Sequence, residues 1–183
     1  MIDGCHWYAI KDGDPRATAI YERHYSAVNL QARRRTGDKR IVGMGERLLL
    51  MTVDCLALFG WRRFTRGPDL AGQEGVCCFI FRNEGPQLSS RLILEAEELA
   101  WQRWPGKRLF TYINPDKIRS VNPGCCFKKA GWRECGHTQG GLVILEKLPG
   151  KAINETYGIG SLQTVRPLSF GFRFRPPFSQ AAK

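Results

Sequence analysis

The sequence predicts a mixed α/β (α+β) fold, one sheet containing a parallel strand pair with helices packed on it. Three observations carry this. The unbroken apolar run Val76-Cys77-Cys78-Phe79-Ile80-Phe81 is rich in β-branched and aromatic residues and reads as a buried strand. Apolar residues then recur at helical spacing (Leu92, Ile93, Ala96, Leu99, Ala100, Trp104), with Glu95, Glu98 and Gln102 on the opposite face. An alternating strand, Lys107 to Asn114, follows. The order strand, helix, strand requires a parallel pair joined by a crossover.

Taken in order, Trp7, Tyr8 and Ile10 suggest a short strand and Asp12-Gly13-Asp14-Pro15 a turn. Ala17 to Ser26 fits a helical turn or two that brings Glu22, His24 and Tyr25 close together; a histidine beside a tyrosine serves structure or catalysis. Residues 29–45 are basic and nearly devoid of apolar side chains, a surface loop that is either a solvated linker or a segment that orders on phosphates. Arg47 to Phe59 reads as two strands of a meander or one long bent strand, with Asp54 as a buried carboxylate in need of a partner. Trp61-Arg62-Arg63-Phe64 alternates aromatic and basic residues, suited to stacking on bases or to an amphipathic edge strand.

The central strand breaks at Asn83-Glu84-Gly85-Pro86, which no strand or helix interior tolerates. Ser89-Ser90 reads as the helix start, because a serine oxygen accepts the unpaired amide hydrogens of a first turn. A strand, a turn and a helix N-terminus favour an anion, and Arg82 and Arg91 flank the place. Pro105-Gly106 ends the helix, and Asn114-Pro115-Asp116 ends the next strand. A short helix, Cys125 to Ala130, and two strands within Arg133 to Lys147 complete a domain over 1–150. The Gly- and Pro-rich extension 151–183 is an arm on nucleic acid or a late strand.

The 183 residues suit one domain with a sizeable core, and a composition of 43% apolar and 25% charged residues is that of a globular chain. No long apolar run or signal peptide is evident, so a soluble, cytoplasmic protein with no membrane partner is expected. The seven cysteines, mostly within apolar runs, read as buried hydrophobes of a reducing compartment; Cys135 and His137 lack the Cys-x-x-Cys spacing of a zinc knuckle, and no metal is expected. The formal charge of +11 is spread over several segments and attracts polyanions, nucleic acid first. The residues expected to meet it are Arg33, Arg34, Arg35, Lys39, Arg40, Trp61, Arg62, Arg63, Lys117 and Arg119.

The hexapeptide Phe127-Lys128-Lys129-Ala130-Gly131-Trp132, preceded by Asn122, resembles the Tyr-x-Lys-x-Gly-Phe ending common in the GNAT acyltransferase superfamily. The resemblance covers about residues 46–147 and implies a mixed, mostly antiparallel sheet with a central parallel pair. It implies an acyl-coenzyme A donor (acetyl-coenzyme A or another acyl or aminoacyl donor) held by Phe81, Arg82, Asn83, Gly85, Ser89, Ser90 and Phe127, with the following strand splaying away. Two positions depart from that pattern: the usual glycine-rich phosphate loop is replaced by Arg82 to Pro86, and Phe127 stands where a proton-donating tyrosine is common. Closer still is the phage Mom-type DNA-modification branch, which the chain resembles in His24-Tyr25, in a serine opening the main helix (Ser90 or Ser89), in Tyr112 followed by Asn114-Pro115, and in Gly124-Cys125-Cys126-Phe127. That resemblance implies a phage-type, anti-restriction enzyme adding an acyl-derived group to a nucleobase amine in DNA. His24 or Tyr25 would then move a proton or position the base, Ser90 would help hold the donor, and Tyr112 with Asn114 would orient the acceptor. An N-acetyltransferase for a small amine or protein, and a non-catalytic nucleic-acid-binding protein on the same fold, are the alternatives.

Overall fold

A computed structural model describes residues 5–29, 40–43, 45–118 and 120–150. Arg33, Arg34, Arg35, Lys39 and Arg119, expected at a nucleic-acid surface, and the extension 151–183 lie outside the described residues.

Seven strands form one sheet: β1 (Trp7–Ile10), β2 (Glu46–Thr52), β3 (Ala57–Arg63), β4 (Val76–Asn83), β5 (Leu109–Ile113), β6 (Arg133–His137) and β7 (Val143–Lys147). Their spatial order is β1-β2-β3-β4-β5-β7-β6. Every neighbouring pair is antiparallel except β4 and β5, joined by the crossover. Three α-helices occur among the described residues: α1 (Pro15–Glu22), α2 (Ser89–Arg103) and α3 (Cys125–Lys129). None is long and apolar enough to cross a membrane.

Each face of the sheet carries its own core. Leu92, Ile93, Ala96 and Ala100 of α2 pack with Phe59, Trp61, Val76 and Leu109. On the other face Ala17 and Ile20 of α1 meet Leu49, Met51, Leu58 and Ile80. A fully buried leucine, isoleucine or phenylalanine contributes roughly 1.5–3 kcal/mol, so these two layers dominate the stability of the domain. Helix α1 starts where the sequence provides for it: the Asp14 carboxylate accepts the Arg16 N–H at 2.9 Å, and Pro15 opens the first turn.

Three expectations are corrected, and one buried acid was not foreseen. Helix α2 is not capped by a serine: its N-cap is Leu88, which has no side-chain acceptor, and Ser89 and Ser90 already lie inside the first turn. Asp54 is exposed, because the chain turns there between β2 and β3; its carboxylate accepts the Thr52 hydroxyl at 2.6 Å and the Leu56 N–H at 3.0 Å. Trp61 offers no base-stacking surface. It is 0% exposed beneath α2, where its indole N–H donates to the Ala96 carbonyl at 3.0 Å. Glu97, set among charged residues, is 2% exposed and accepts the Trp132 indole N–H at 2.5 Å, with Lys147 Nζ at 3.5 Å. Burial raises its pKa against the opposing pull of those two partners.

Strand β4 contains a bulge. Gly60 of β3 pairs with Ile80 and Trp61 with Cys78, so Phe79 is an extra residue. Its effect is to change faces. Val76 and Cys78 belong to the α2 core, Phe79 and Ile80 turn to the α1 side, and Phe81 returns to the α2 side. Gly60 permits this, because a Cβ there would lie 2.4 Å from the Phe79 ring.

Candidate active site

Beyond the bulge β4 loses its parallel neighbour. Pairing with β5 covers only Val76–Leu109, Cys77–Phe110 and Cys78–Thr111, while β4 runs on to Asn83 and β5 stays with β7 up to Ile113. A cleft of about 190 Å³ opens between the two strands. Its walls come from β4 (Cys78 to Phe81), β5 (Thr111 to Ile113), the His24-Tyr25 pair and the start of α3 (Gly124 to Phe127). The backbone edge of β4 facing the cleft is open to a ligand that can pair with main-chain N–H and C=O groups.

His24 and Tyr25 follow α1, and their rings lie 4.2 Å apart. His24 Nδ1 lies 2.7 Å from the Ser26 hydroxyl and accepts the Ser26 backbone N–H at 3.2 Å. An accepting Nδ1 puts the proton of the neutral ring on Nε2. Burial, with a further push from the nearby Arg82 charge, lowers the imidazole pKa from 6.5 to about 4. His24 is therefore a neutral hydrogen-bond donor near pH 7. Burial raises the Tyr25 pKa against a weaker opposing pull from the Asn114 backbone, so the phenol keeps its proton.

Tyr112 donates its hydroxyl proton to Asp69 at 2.5 Å. Asp69 sits in the connection between β3 and β4, where its other oxygen accepts the N–H groups of Ala71 (3.0 Å) and Gln73 (2.8 Å). Burial and this carboxylate raise the phenol pKa well above its ordinary value. With its proton committed to Asp69, the Tyr112 oxygen has lone pairs for an incoming N–H.

At the end of β4, Asn83 Nδ2 donates to the Gln87 carbonyl at 2.7 Å and to Ser89 Oγ at 3.0 Å, and Asn83 Oδ1 accepts the Gly85 N–H at 3.0 Å. The turn is thereby fixed from within. Arg82, on the α1 side, donates to Glu84 at 2.5 Å and to the Arg23 carbonyl at 2.7 Å, while Arg23 grips the same carboxylate. Held by Arg23 first and then by Arg82, Glu84 has a pKa of about 2 and is ionised. Two guanidinium groups against one carboxylate leave the turn with a net positive charge.

Of the residues picked out from sequence, His24, Tyr25, Phe81, Tyr112 and Phe127 share the cleft. Asn83, Gly85, Ser89 and Ser90 lie in the turn and first helical residues past its β4 wall. The Asn114 side chain is used locally, accepting the Asp116 N–H at 3.0 Å in the 3-10 turn Pro115–Lys117. Phe127 is buried, edge-on to Phe81 at 5.8 Å and to Trp132 at 4.9 Å. Arg62 packs over the Phe64 ring at 4.5 Å, and its buried Nε has no hydrogen-bond partner among the described residues. Arg63 faces Glu46 at 3.5 Å; Arg40 and Lys117 are exposed.

Sequence reasoning missed Asp69, Cys78 and Thr111. Asp69 stands 43 residues from Tyr112, and its one legible signal is the turn composition of Gly67-Pro68-Asp69. The Thr111 hydroxyl donates to the Cys78 carbonyl at 2.9 Å where the two strands part. Burial pushes the Cys77 thiol up to about 12 and Cys78 well above its ordinary value, so both stay as unreactive thiols. Comparison with known proteins finds no protein-family model that matches the chain and no curated protein significantly similar to it.

Proposed function

We propose that the chain is a GNAT-type transferase of the Mom-like kind, which moves an acyl-derived group onto a nucleobase amine in DNA. The observation that carries this reading is the parting of β4 from β5 after Cys78 and Thr111, around a cleft that also receives His24, Tyr25 and Tyr112. An open strand edge suits the amide-rich arm of an acyl-coenzyme A. The uncapped start of α2 and the net positive turn at Arg23, Arg82 and Glu84 suit its anionic end. An acyl-coenzyme A or an aminoacyl ester would supply an acyl carbon activated for attack by an amine.

The chain's own groups divide the remaining work. The Tyr112 oxygen accepts an N–H of the acceptor amine, and as the new C–N bond forms it takes that proton while passing its own to Asp69. The Nε2–H of neutral His24 donates to the carbonyl oxygen on which charge develops. The bond from the acyl carbon to the leaving sulfur or oxygen breaks, and the leaving group takes up a proton from solvent. A base amine is a weak nucleophile, since its lone pair is delocalised into the ring, and that is why both a donor and an acceptor are required.

Mass spectrometry of nucleosides from DNA of cells expressing the protein tests the reading. A new modified nucleoside is expected, reduced at least about tenfold in Tyr112→Phe and His24→Ala. Unmodified DNA with wild-type protein present refutes the transferase reading. A second reading, a non-catalytic nucleic-acid-binding protein, draws support from the ion-paired Glu84 in the turn and from the buried phenyl ring of Phe127. It predicts unmodified DNA and no thermal stabilisation by acetyl-coenzyme A.

A further inference from the structure

A row of residues crosses the α1 face of the sheet. Register aligns Arg47 of β2, Arg62 of β3, Cys77 of β4, Phe110 of β5 and Glu146 of β7. The carboxylates around this row have their own partners. Asp12 lies 3.5 Å from the Arg47 guanidinium and accepts the N–H groups of Ile41 at 2.7 Å and Val42 at 3.3 Å. Glu146 is held by Arg108 at 2.6 Å and by Arg133 at 2.8 Å. Asp69, whose charge reaches the Cys77 thiol together with that of Arg62, is taken by the Tyr112 hydroxyl and by the Ala71 and Gln73 N–H groups. None of these three carboxylates is paired with Arg62.

Aromatic rings hold Arg62 instead. Its guanidinium carbon lies 4.5 Å from the centre of the Phe64 ring and 6.0 Å from that of Phe79. Its Nε is sealed from solvent and has no acceptor, the only such side-chain nitrogen or oxygen among the described residues. An unpaired buried donor weakens a fold, and an apolar side chain in the place of a buried charge is often neutral or stabilising. The arginine is therefore not there for stability. The side chain as a whole is half-buried, so the terminal nitrogens are the reachable part; Nη1 lies against Gly43, where a Cβ would come within 3.4 Å. A planar fork fixed between rings, with its outer nitrogens unspent, is suited to an oxyanion.

The place is beside the cleft. Phe79, on which Arg62 packs, lines it, and so does Tyr112, which shares the α1 face one alternation beyond Phe110. Strand spacing and rise set Arg62 and Tyr112 about 12 Å apart, backbone to backbone. We infer that Arg62 binds a phosphate oxygen of the acceptor nucleotide and so fixes where its base amine stands relative to Tyr112. A contact to phosphate positions without reading sequence. The naming of a nucleotide rests on the proposed transferase reading; the oxyanion site itself rests on the geometry.

NMR of the arginine Nε–H groups of the full-length chain, with a short single-stranded oligonucleotide or coenzyme A added, tests it. The signal missing from Arg62→Met is expected to shift with the oligonucleotide and to stay in place with coenzyme A. By fluorescence anisotropy, Arg62→Met is expected to bind the labelled oligonucleotide at least about fivefold more weakly than wild type. Its plot of log affinity against log salt should be shallower by about 0.7, with a urea midpoint unchanged or raised. Arg62→Lys, which keeps the charge without the fork, restores the salt slope and part of the affinity. Lys107→Gln, an equal loss of charge at an exposed position ahead of β5, changes affinity less than about twofold. Wild-type affinity in Arg62→Met, an equal loss in Lys107→Gln, or an Arg62 signal moved by coenzyme A and not by the oligonucleotide overturns the inference. Nucleoside analysis separates the two failures. Modified DNA whose yield and binding Arg62→Met leaves undiminished removes the phosphate contact alone, and unmodified DNA with binding lost in Arg62→Met removes the transferase reading alone.

Discussion

His24 makes the fold sensitive to mild acid. In the unfolded chain its imidazole takes up a proton near pH 6.5, but in the folded protein only near pH 4, because burial and the Arg82 charge oppose the cation. Between those values the unfolded state binds more protons than the native state. The contribution of neutral His24 is therefore fully present above pH 6.5, is lost as pH falls toward 4, and is flat below that. The gap sets an upper limit of about 3 kcal/mol, and partial exposure of the ring brings the expected loss down to about 1–2 kcal/mol. The assay has two parts. Urea unfolding of wild type and His24→Gln at pH 7 and 4.5 is expected to show a smaller loss on acidification in the variant. Heteronuclear NMR of the ring is expected to show the Nε2–H tautomer at pH 7 and a midpoint near 4. A midpoint near 6.5, or the proton on Nδ1, would refute both the burial argument and the role of His24 as a neutral donor.

Three further outcomes follow from packing. Gly60→Ala drives a methyl group into the Phe79 ring and should cost about 1–3 kcal/mol in urea unfolding, with the cleft residues Phe79 to Phe81 showing the largest NMR shift changes; an unchanged midpoint would speak against the tight contact at the bulge. Glu97→Leu leaves the Trp132 N–H without its acceptor and Lys147 without its counter-charge, and should lower stability by about 3–5 kcal/mol; a neutral effect would mean that the carboxylate is not paired. Trp61→Phe loses the bond to the Ala96 carbonyl and some buried area, which should reduce the melting temperature by several degrees while leaving DNA affinity unchanged. Weakened DNA binding by the folded variant would restore Trp61 to a nucleic-acid surface.

The parts of the fold that could be read from sequence are those in which one local signal suffices. Val76 to Phe81 and the 3.6-residue spacing from Leu92 to Trp104 announce a strand and a helix whatever lies around them. Their succession then fixes the parallel pair. What escaped depends on distant partners. Glu97 looks like one more surface acid of α2, and only Trp132 and Lys147, brought up by α3 and β7, make it a buried one. Trp61 alternates with arginines as a surface strand would, but α2 covers its face. The serines at 89 and 90 carry a cap signature, yet the turn tightened by Asn83 starts the helix at Ser89, so Ser89 Oγ is used by Asn83 Nδ2. In the candidate site, His24, Tyr25 and Tyr112 were legible as residue types. Their chemical states were not, because those depend on Ser26, on burial and on Asp69, and only the folded chain supplies the last two.

The extra residue at Phe79 works as a parity switch along β4. Upstream of it the even-numbered side chains look toward α2; downstream the odd-numbered ones do, so Arg82 reaches Arg23 and Glu84 while Asn83 reaches Ser89. Were β4 to pair regularly through Phe79, with no residue removed, the apolar run would be the same and everything after it would exchange neighbours. Arg82 would be sent toward the start of α2 and Asn83 toward α1, undoing both the charge arrangement of the turn and its internal brace. The irregular pairing at Phe79 therefore sets the wiring, and deleting Phe79 together with its bulge would leave Arg82 and Asn83 facing as they do.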